Sequence, residues 1–302
     1  MIVVSEQVRT ALEERRPVVA MESTIFSTLG LPVPHNAEAL RRCAAAVLAG
    51  GAVPAVTAVL DGRWRVGLSE DEQERVLTGT RKVAERDLAV ASAQAWDVGV
   101  TTVSASVALA HRAGIEVFAT GGIGGVHRGS ESSGDVSADL DALANHPVVT
   151  VCAGAKSFLD LARTLELLET AGVPVLGWRH DEFPAFYVRS SGLPVPHVVR
   201  TAEQVARVLR ARSRPQTGVL LAVPIPQADA LDRDQHDAAL ETALRAAADA
   251  GITGAAVTPY VLERVGRATE GGSVPANLAL AENNATVAAE VAAALLALPA
   301  EG

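Results

Sequence analysis

The stretch PVVTVCAGAKSFLDLARTLELLETAG, residues 147–172, decides the fold. Its first part, PVVTVCAGA (147–155), is a short apolar run of the kind that forms a buried strand. Its second part, SFLDLARTLELLETAG (157–172), carries leucines at helical spacing and stops at Gly172, which predicts a helix capped by Ser157 and closed by glycine. A strand that feeds directly into a helix is the unit of a parallel sheet, because a parallel return needs a crossover. The same alternation extends in both directions. PVVAMEST (17–24), IEVFAT (115–120) and GVLLAV (218–223) read as strands. NAEALRRCAAAVLAGG (36–51), SEDEQERVL (69–77) and PANLALAENNATVAAEVAAALLAL (275–298) read as helices. Asp61-Gly62, between AVPAVTAVL and RWRVGL, is a two-residue hairpin signal. The pattern predicts an α/β protein whose mostly parallel sheet is covered by helices on both faces. LPVPH occurs at 31–35 and 193–197 without any longer repeat, so residues 1–302 are expected to form one domain.

Composition narrows the function classes. A net charge of −9 argues against a nucleic-acid groove, which needs a basic footprint. No apolar run approaches the roughly 20 residues of a membrane span, and MIVVSEQVRT lacks the features of a signal peptide, so a cytoplasmic protein is expected. Cys43 and Cys152 lie far apart in apolar surroundings and read as small buried hydrophobes rather than a disulfide.

The 26 basic residues include only two lysines, Lys82 and Lys156. Arginine replaces lysine wherever a solvated charge suffices, but its guanidinium does not deprotonate, so it cannot supply a neutral nucleophilic amine. Lys156 follows a strand directly, at the edge where ligands gather in open α/β sheets. An ordinary lysine, with pKa about 10.4, is neutral in only about one molecule in 2,500 at pH 7. Apolar walls and a nearby helix N-terminus would raise that fraction and yield an imine-forming nucleophile. The alternative is a lysine that merely pairs with a carboxylate or phosphate.

Glu22 closes the first long strand, where an apolar setting raises a carboxyl toward general-acid range. ATGGIGGVHRG (119–129) offers glycine amides for an anion, with His127 and Arg128 as polar handles. His127 stands where a dinucleotide fingerprint requires its third glycine, which counts against a nicotinamide-dependent oxidoreductase. Asp135, Ser137 and Asp139 either ligate a hard cation or cap and charge the following helix, the commoner use. Of Asn283 and Asn284, adjacent on one helix, one is expected to face a site.

Together the segments VVAMESTI, KVAERDL, TTVSAS, VFATGGIGGVHRG, DVSADL, VCAGAKSFLD, VPIP and NNA resemble the pseudouridine-5'-phosphate glycosidase family, also called indigoidine synthase A-like, over residues 5 to 296. The resemblance implies a three-layer α/β/α sandwich, a homotrimer, and reversible cleavage of pseudouridine 5'-phosphate to uracil and ribose 5-phosphate. Lys156 matches the lysine that forms an imine with ribose C1', and Glu22 the proton donor. Lys82, Val103, Ser137, Ala138 and Asp139 match substrate-binding positions, with Thr120, His127 and Asn283 assigned to the same pocket. Asp135 matches a metal ligand, with one Mn2+ per subunit expected. Two stretches depart from the family pattern: IFSTLGLP (25–32) lacks a histidine, and Glu85 stands where a basic residue is often found. The rivals are a non-catalytic sugar-phosphate binder and an enzyme acting on a different C-nucleoside phosphate.

Overall fold

The computed structural model describes residues 2–252, 257–269 and 271–298. Its strands are β1 (Ile2–Val4), β2 (Val18–Met21), β3 (Val53–Leu60), β4 (Arg63–Val66), β5 (Lys82–Val83), β6 (Val98–Thr101), β7 (Val117–Ala119), β8 (Val149–Cys152), β9 (Val175–Trp178), β10 (His197–Val199) and β11 (Val219–Ala222). They form one sheet in the order β1-β4-β3-β2-β7-β8-β11-β9-β10, with β6 against β3 and β5 beyond it. From the first half of β3 through β2, β7, β8, β11, β9 and β10 every pairing is parallel. β3 is the longest strand and leaves this arrangement halfway: Val53–Val56 pair with β2, whereas Thr57–Leu60 run antiparallel to β4 and Ala58–Leu60 antiparallel to β6. The hairpin follows from Asp61 and Gly62, both at positive φ (51° and 68°), the backbone a type I′ turn demands.

Helices cover both faces. Ser273–Ala297 lies across β2, β7 and β8 and packs against His35–Ala49 and Ala202–Ala211. It is buried along almost its whole length because alanine, leucine and valine occupy nearly every side of it, the pattern of a core helix rather than an amphipathic one. Val103–Arg112 lies on β2, β3 and β7 and adjoins Ala138–Asn145, which adjoins Leu161–Ala171. The predicted helix 69–77 forms as Glu70–Leu77, opened by a Ser69–Glu72 capping box. No helix among the described residues is long and apolar enough to cross a membrane. Cys43 and Cys152 are free and buried, and burial pushes each thiol up to about 12.

One element differs from expectation where it matters. The helix after Lys156 starts at Leu161, not at Ser157. Asp160 is the cap: its carboxylate accepts the Arg163 amide at 3.0 Å, and a carboxylate interacts more favourably than a hydroxyl with the positive helix end. Lys156 therefore sits on a turn ahead of the helix, and the Ser157 hydroxyl lies 3.0 Å from His236 Nε2 instead of capping.

Candidate active site

β2, β7 and β8 are neighbours in the sheet, so the residues just past their carboxyl ends converge. These are Glu22, Thr120 and the turn Ala153–Lys156. Gly154 makes that turn at φ 76°, and any side chain there would strike the Pro184 carbonyl. The Lys156 amide donates to the Ile123 carbonyl at 3.1 Å, and Ile123 pairs with Ala155. Val126 bridges to both Val136 and Asp160. Backbone contacts thus stitch the glycine-rich loop between the lysine turn and the segment that carries Asp135 and Asp139.

Glu22 is buried, 8% exposed, and the Thr120 hydroxyl donates to its Oε1. Burial raises its pKa above the ordinary carboxylate range. Lys156 and the Thr120 hydrogen bond oppose that rise, and the charge of Asp139 adds to it. Lys82, in β5, stands at the solvent-open rim. The protein around its amine and then the charge of Lys156 pull its pKa down, with Glu22 and Asp139 opposing. The two lysines and two carboxyls therefore form one mutually coupled group.

A buried set of hydroxyls fixes the chain immediately after Glu22. The Thr101 amide donates to Ser23 Oγ at 2.8 Å, and the Ser23 amide donates to Thr101 Oγ1 at 3.3 Å. Thr101 Oγ1 lies 2.8 Å from Thr57 Oγ1, which in turn reaches Ser106 Oγ at 2.9 Å. These groups come from the turn just past β2, from β3, β6 and the helix after it, and no local pattern in the sequence announces them.

Asp139 does not cap its own helix. Ser137 caps Ala138–Asn145 by accepting the Asp139 amide at 3.2 Å. The Asp139 carboxylate accepts the Ser104 amide at 3.0 Å and the Gly124 amide at 2.8 Å, which clamps the glycine loop to the start of helix Val103–Arg112. A Cβ on Gly124 would collide with Ser137. The anion-cradle reading of this loop is restricted accordingly, because the amides of Ile123, Gly124, Val126 and His127 all donate within the protein.

Asp135 is partly exposed, with His127 Nδ1 3.7 Å from its Oδ2. Among the described residues no three histidine, cysteine or carboxylate side chains gather as a metal cluster. Of the two asparagines, Asn284 is fully buried and donates to the Thr120 carbonyl at 2.8 Å and the Gly121 carbonyl at 3.3 Å. Asn283 lies on another side of the helix, its Nδ2 3.5 Å from the Pro224 carbonyl. Glu85 meets His146 Nε2 at 2.8 Å, and that histidine faces His111 at 3.1 Å. The departure from the family's basic residue thus comes with a histidine partner.

Residues 7–294, nearly the whole chain, match the family described as indigoidine synthase A like protein. The chain belongs to the indigoidine synthase A-like family. Relatives named pseudouridine-5'-phosphate glycosidase come from Caldanaerobacter subterraneus subsp. tengcongensis and Sorangium cellulosum. The first is 50% identical over 96% of this chain and the second 48% identical over 99% of it, each alignment covering 95% of the relative. Among solved structures, the prealnumycin C-glycosynthase AlnA in complex with ribulose 5-phosphate superposes with a TM-score of 0.91 at 40% identity, covering 98% of this chain and 97% of its own. An indigoidine synthase A-like protein from Thermotoga maritima gives 0.87 at 34% identity with the same coverage. The indigoidine synthase A-like sandwich, with its mostly parallel sheet, is therefore the fold of this chain.

Proposed function

We propose that this chain, acting as one domain, cleaves the C-glycosidic bond of pseudouridine 5'-phosphate reversibly to uracil and D-ribose 5-phosphate. The observation that carries the reading is the Glu22 carboxyl, buried and raised toward protonation, in the field of Lys156 at the same strand ends. The names of the 48–50% identical relatives support the substrate.

Breaking a carbon–carbon glycosidic bond sets two demands. The departing carbon keeps the bonding pair and must receive a proton, and the C1′ it leaves behind needs an electron donor. The Lys156 amine bonds to ribose C1′ as the C1′–O4′ bond breaks and O4′ takes up a proton, which opens the furanose ring; its nitrogen lone pair then forms the C1′ imine as the C1′–C5 bond breaks. Burial disfavours the Glu22 anion and raises its pKa, and the protonated acid delivers its proton to uracil C5 as the bond breaks. Water then hydrolyses the imine and frees ribose 5-phosphate. In this reading Lys82, Val103 at the head of its helix, Ser137, Ala138 and Asp139 hold the substrate, with Thr120, His127 and Asn283 in the same pocket.

Asp135 is a partly exposed carboxylate, a donor that suits a divalent cation such as Mn2+ that keeps most of its water. Such an ion would neutralise phosphate charge. Asp135→Asn is expected to abolish saturable Mn2+ binding by electron paramagnetic resonance; retained binding removes Asp135 as the ligand. The same reading takes the enzyme to be a cytoplasmic homotrimer, which analytical ultracentrifugation checks at three times 31.2 kDa.

The test of the function is ultraviolet detection of uracil from pseudouridine 5'-phosphate and Mn2+. Release by the parent chain and none by Lys156→Ala is expected. Parent-level release by that variant would contradict the lysine's role. A second reading, favoured by the likeness to AlnA, keeps the same residues and changes the aglycone. It predicts that a C-ribosyl phosphate carrying prealnumycin in place of uracil is cleaved faster than the uracil compound.

A further inference from the structure

Next to Lys156 in the chain, and lining a cavity that Lys156 and Glu22 do not line, stands a second arrangement that the glycosidase reaction does not use. Ser157 Oγ lies 3.0 Å from His236 Nε2, and His236 Nδ1 lies 3.2 Å from Asp237 Oδ1. Both distances match the serine–histidine–carboxylate relay of nucleophilic hydrolases. The carboxylate accepts only from an Nδ1–H, so the tautomer it selects leaves the Nε2 lone pair facing the serine hydroxyl. Ser157 and His236 are 7% and 1% exposed. Burial lowers the His236 pKa, so the ring is neutral and basic at pH 7.

Ser157, His236 and Asp237 line one cavity of about 480 Å³, within the range of small-molecule sites. Glu22, Lys82, Thr120 and Lys156 do not line it. The backbone amides of Ser157 and Phe158 have no acceptor among the described residues. Of the two residues only Ser157 lines the cavity, so its own N–H is the donor available there to an oxyanion. Arg128 and Arg233 also line the cavity; Arg233 leans on Asp237, whereas Arg128 has no acidic partner among the described residues.

We propose that Ser157 is the nucleophile of a second, hydrolytic centre that takes small carboxylic esters bearing one anionic group. Ser157 Oγ bonds to the ester carbonyl carbon while its proton passes to His236 Nε2. The carbonyl electron pair moves onto oxygen, facing the amide of Ser157. Collapse expels the alkoxide, which takes the proton back from His236, and water repeats the sequence to release the acid and restore the serine. Arg128 receives the anionic group.

A fluorophosphonate probe on the full chain, followed by peptide mass spectrometry, tests this without any variant. An adduct on Ser157 is expected. In parallel, hydrolysis of 4-nitrophenyl hemisuccinate should fall at least about 100-fold in Ser157→Ala and in His236→Gln, and about tenfold in Asp237→Asn. No adduct on Ser157 under conditions that label trypsin fully would overturn the proposal. So would parent-level hydrolysis by Ser157→Ala with an unchanged circular dichroism spectrum.

Discussion

Two buried carboxyls stand at the carboxyl edge of this sheet with nearly equal exposure, Glu22 at 8% and Asp139 at 6%. Their surroundings differ. Asp139 accepts two backbone amides from two different elements, Ser104 at the start of a helix and Gly124 in the glycine loop. Glu22 has one hydroxyl, from Thr120. Two fixed amides give Asp139 a mechanical task, whereas burial with a single donor favours the protonated acid in Glu22. Burial alone therefore does not say which carboxyl does chemistry. The count and origin of its donors does.

The largest effect should come from removing the acid. Glu22→Gln keeps shape and hydrogen bonding but holds no transferable proton. Uracil release is expected to fall at least about 1,000-fold while KM changes little. The same variant has a stability signature. Because folded Glu22 holds its proton more tightly than unfolded Glu22, its contribution to stability is complete below the ordinary carboxylate pKa and is lost as pH rises through the raised folded value. Glu22→Gln should match the parent's melting temperature in acid and exceed it on the alkaline side. Equal melting curves at every pH would mean that the Glu22 pKa is not raised.

Asp139→Ala comes next. It strands two amides, so a loss of about 1–3 kcal/mol in stability is expected by urea denaturation, with activity falling chiefly through KM as the glycine loop loosens. A collapse of kcat at unchanged stability would move Asp139 into the chemistry and erase the contrast with Glu22. The smallest effect belongs to Thr120→Val. The Thr120 hydroxyl lowers the Glu22 pKa, so its removal should shift the alkaline limb of the pH–rate profile upward by about one unit, with kcat at the optimum nearly unchanged. A downward shift would contradict the donor role.

Glu22 and Lys156 were legible in the sequence because each pairs an unusual residue choice with the end of an apolar strand. The strands were legible for the same reason: short β-branched runs such as VVTVC and VVAM leave little choice of state. What escaped is nonlocal. D-x-S-x-D suggested caps or ligands around Asp139, but its partners lie on a helix and a loop 35 and 15 residues away. The Ser157–His236 contact spans 79 residues, so Ser157 read as a cap when only Asp160 had a helix to cap. Asn284, not Asn283, reaches the glycine loop, a choice fixed by the rotation of one helix on the sheet rather than by composition. The antiparallel half of β3 was visible only as its turn, Asp61-Gly62; where that hairpin joins the sheet depends on β6, nearly 40 residues on.

The central claim is that Lys156 forms a covalent imine with the sugar. Borohydride reduction in the presence of pseudouridine 5'-phosphate and Mn2+, followed by peptide mass spectrometry, tests it directly. The account predicts a ribose-phosphate adduct on Lys156 and none on Lys82 or the N-terminal amine. Uracil released at the full rate with no adduct on Lys156 would contradict it.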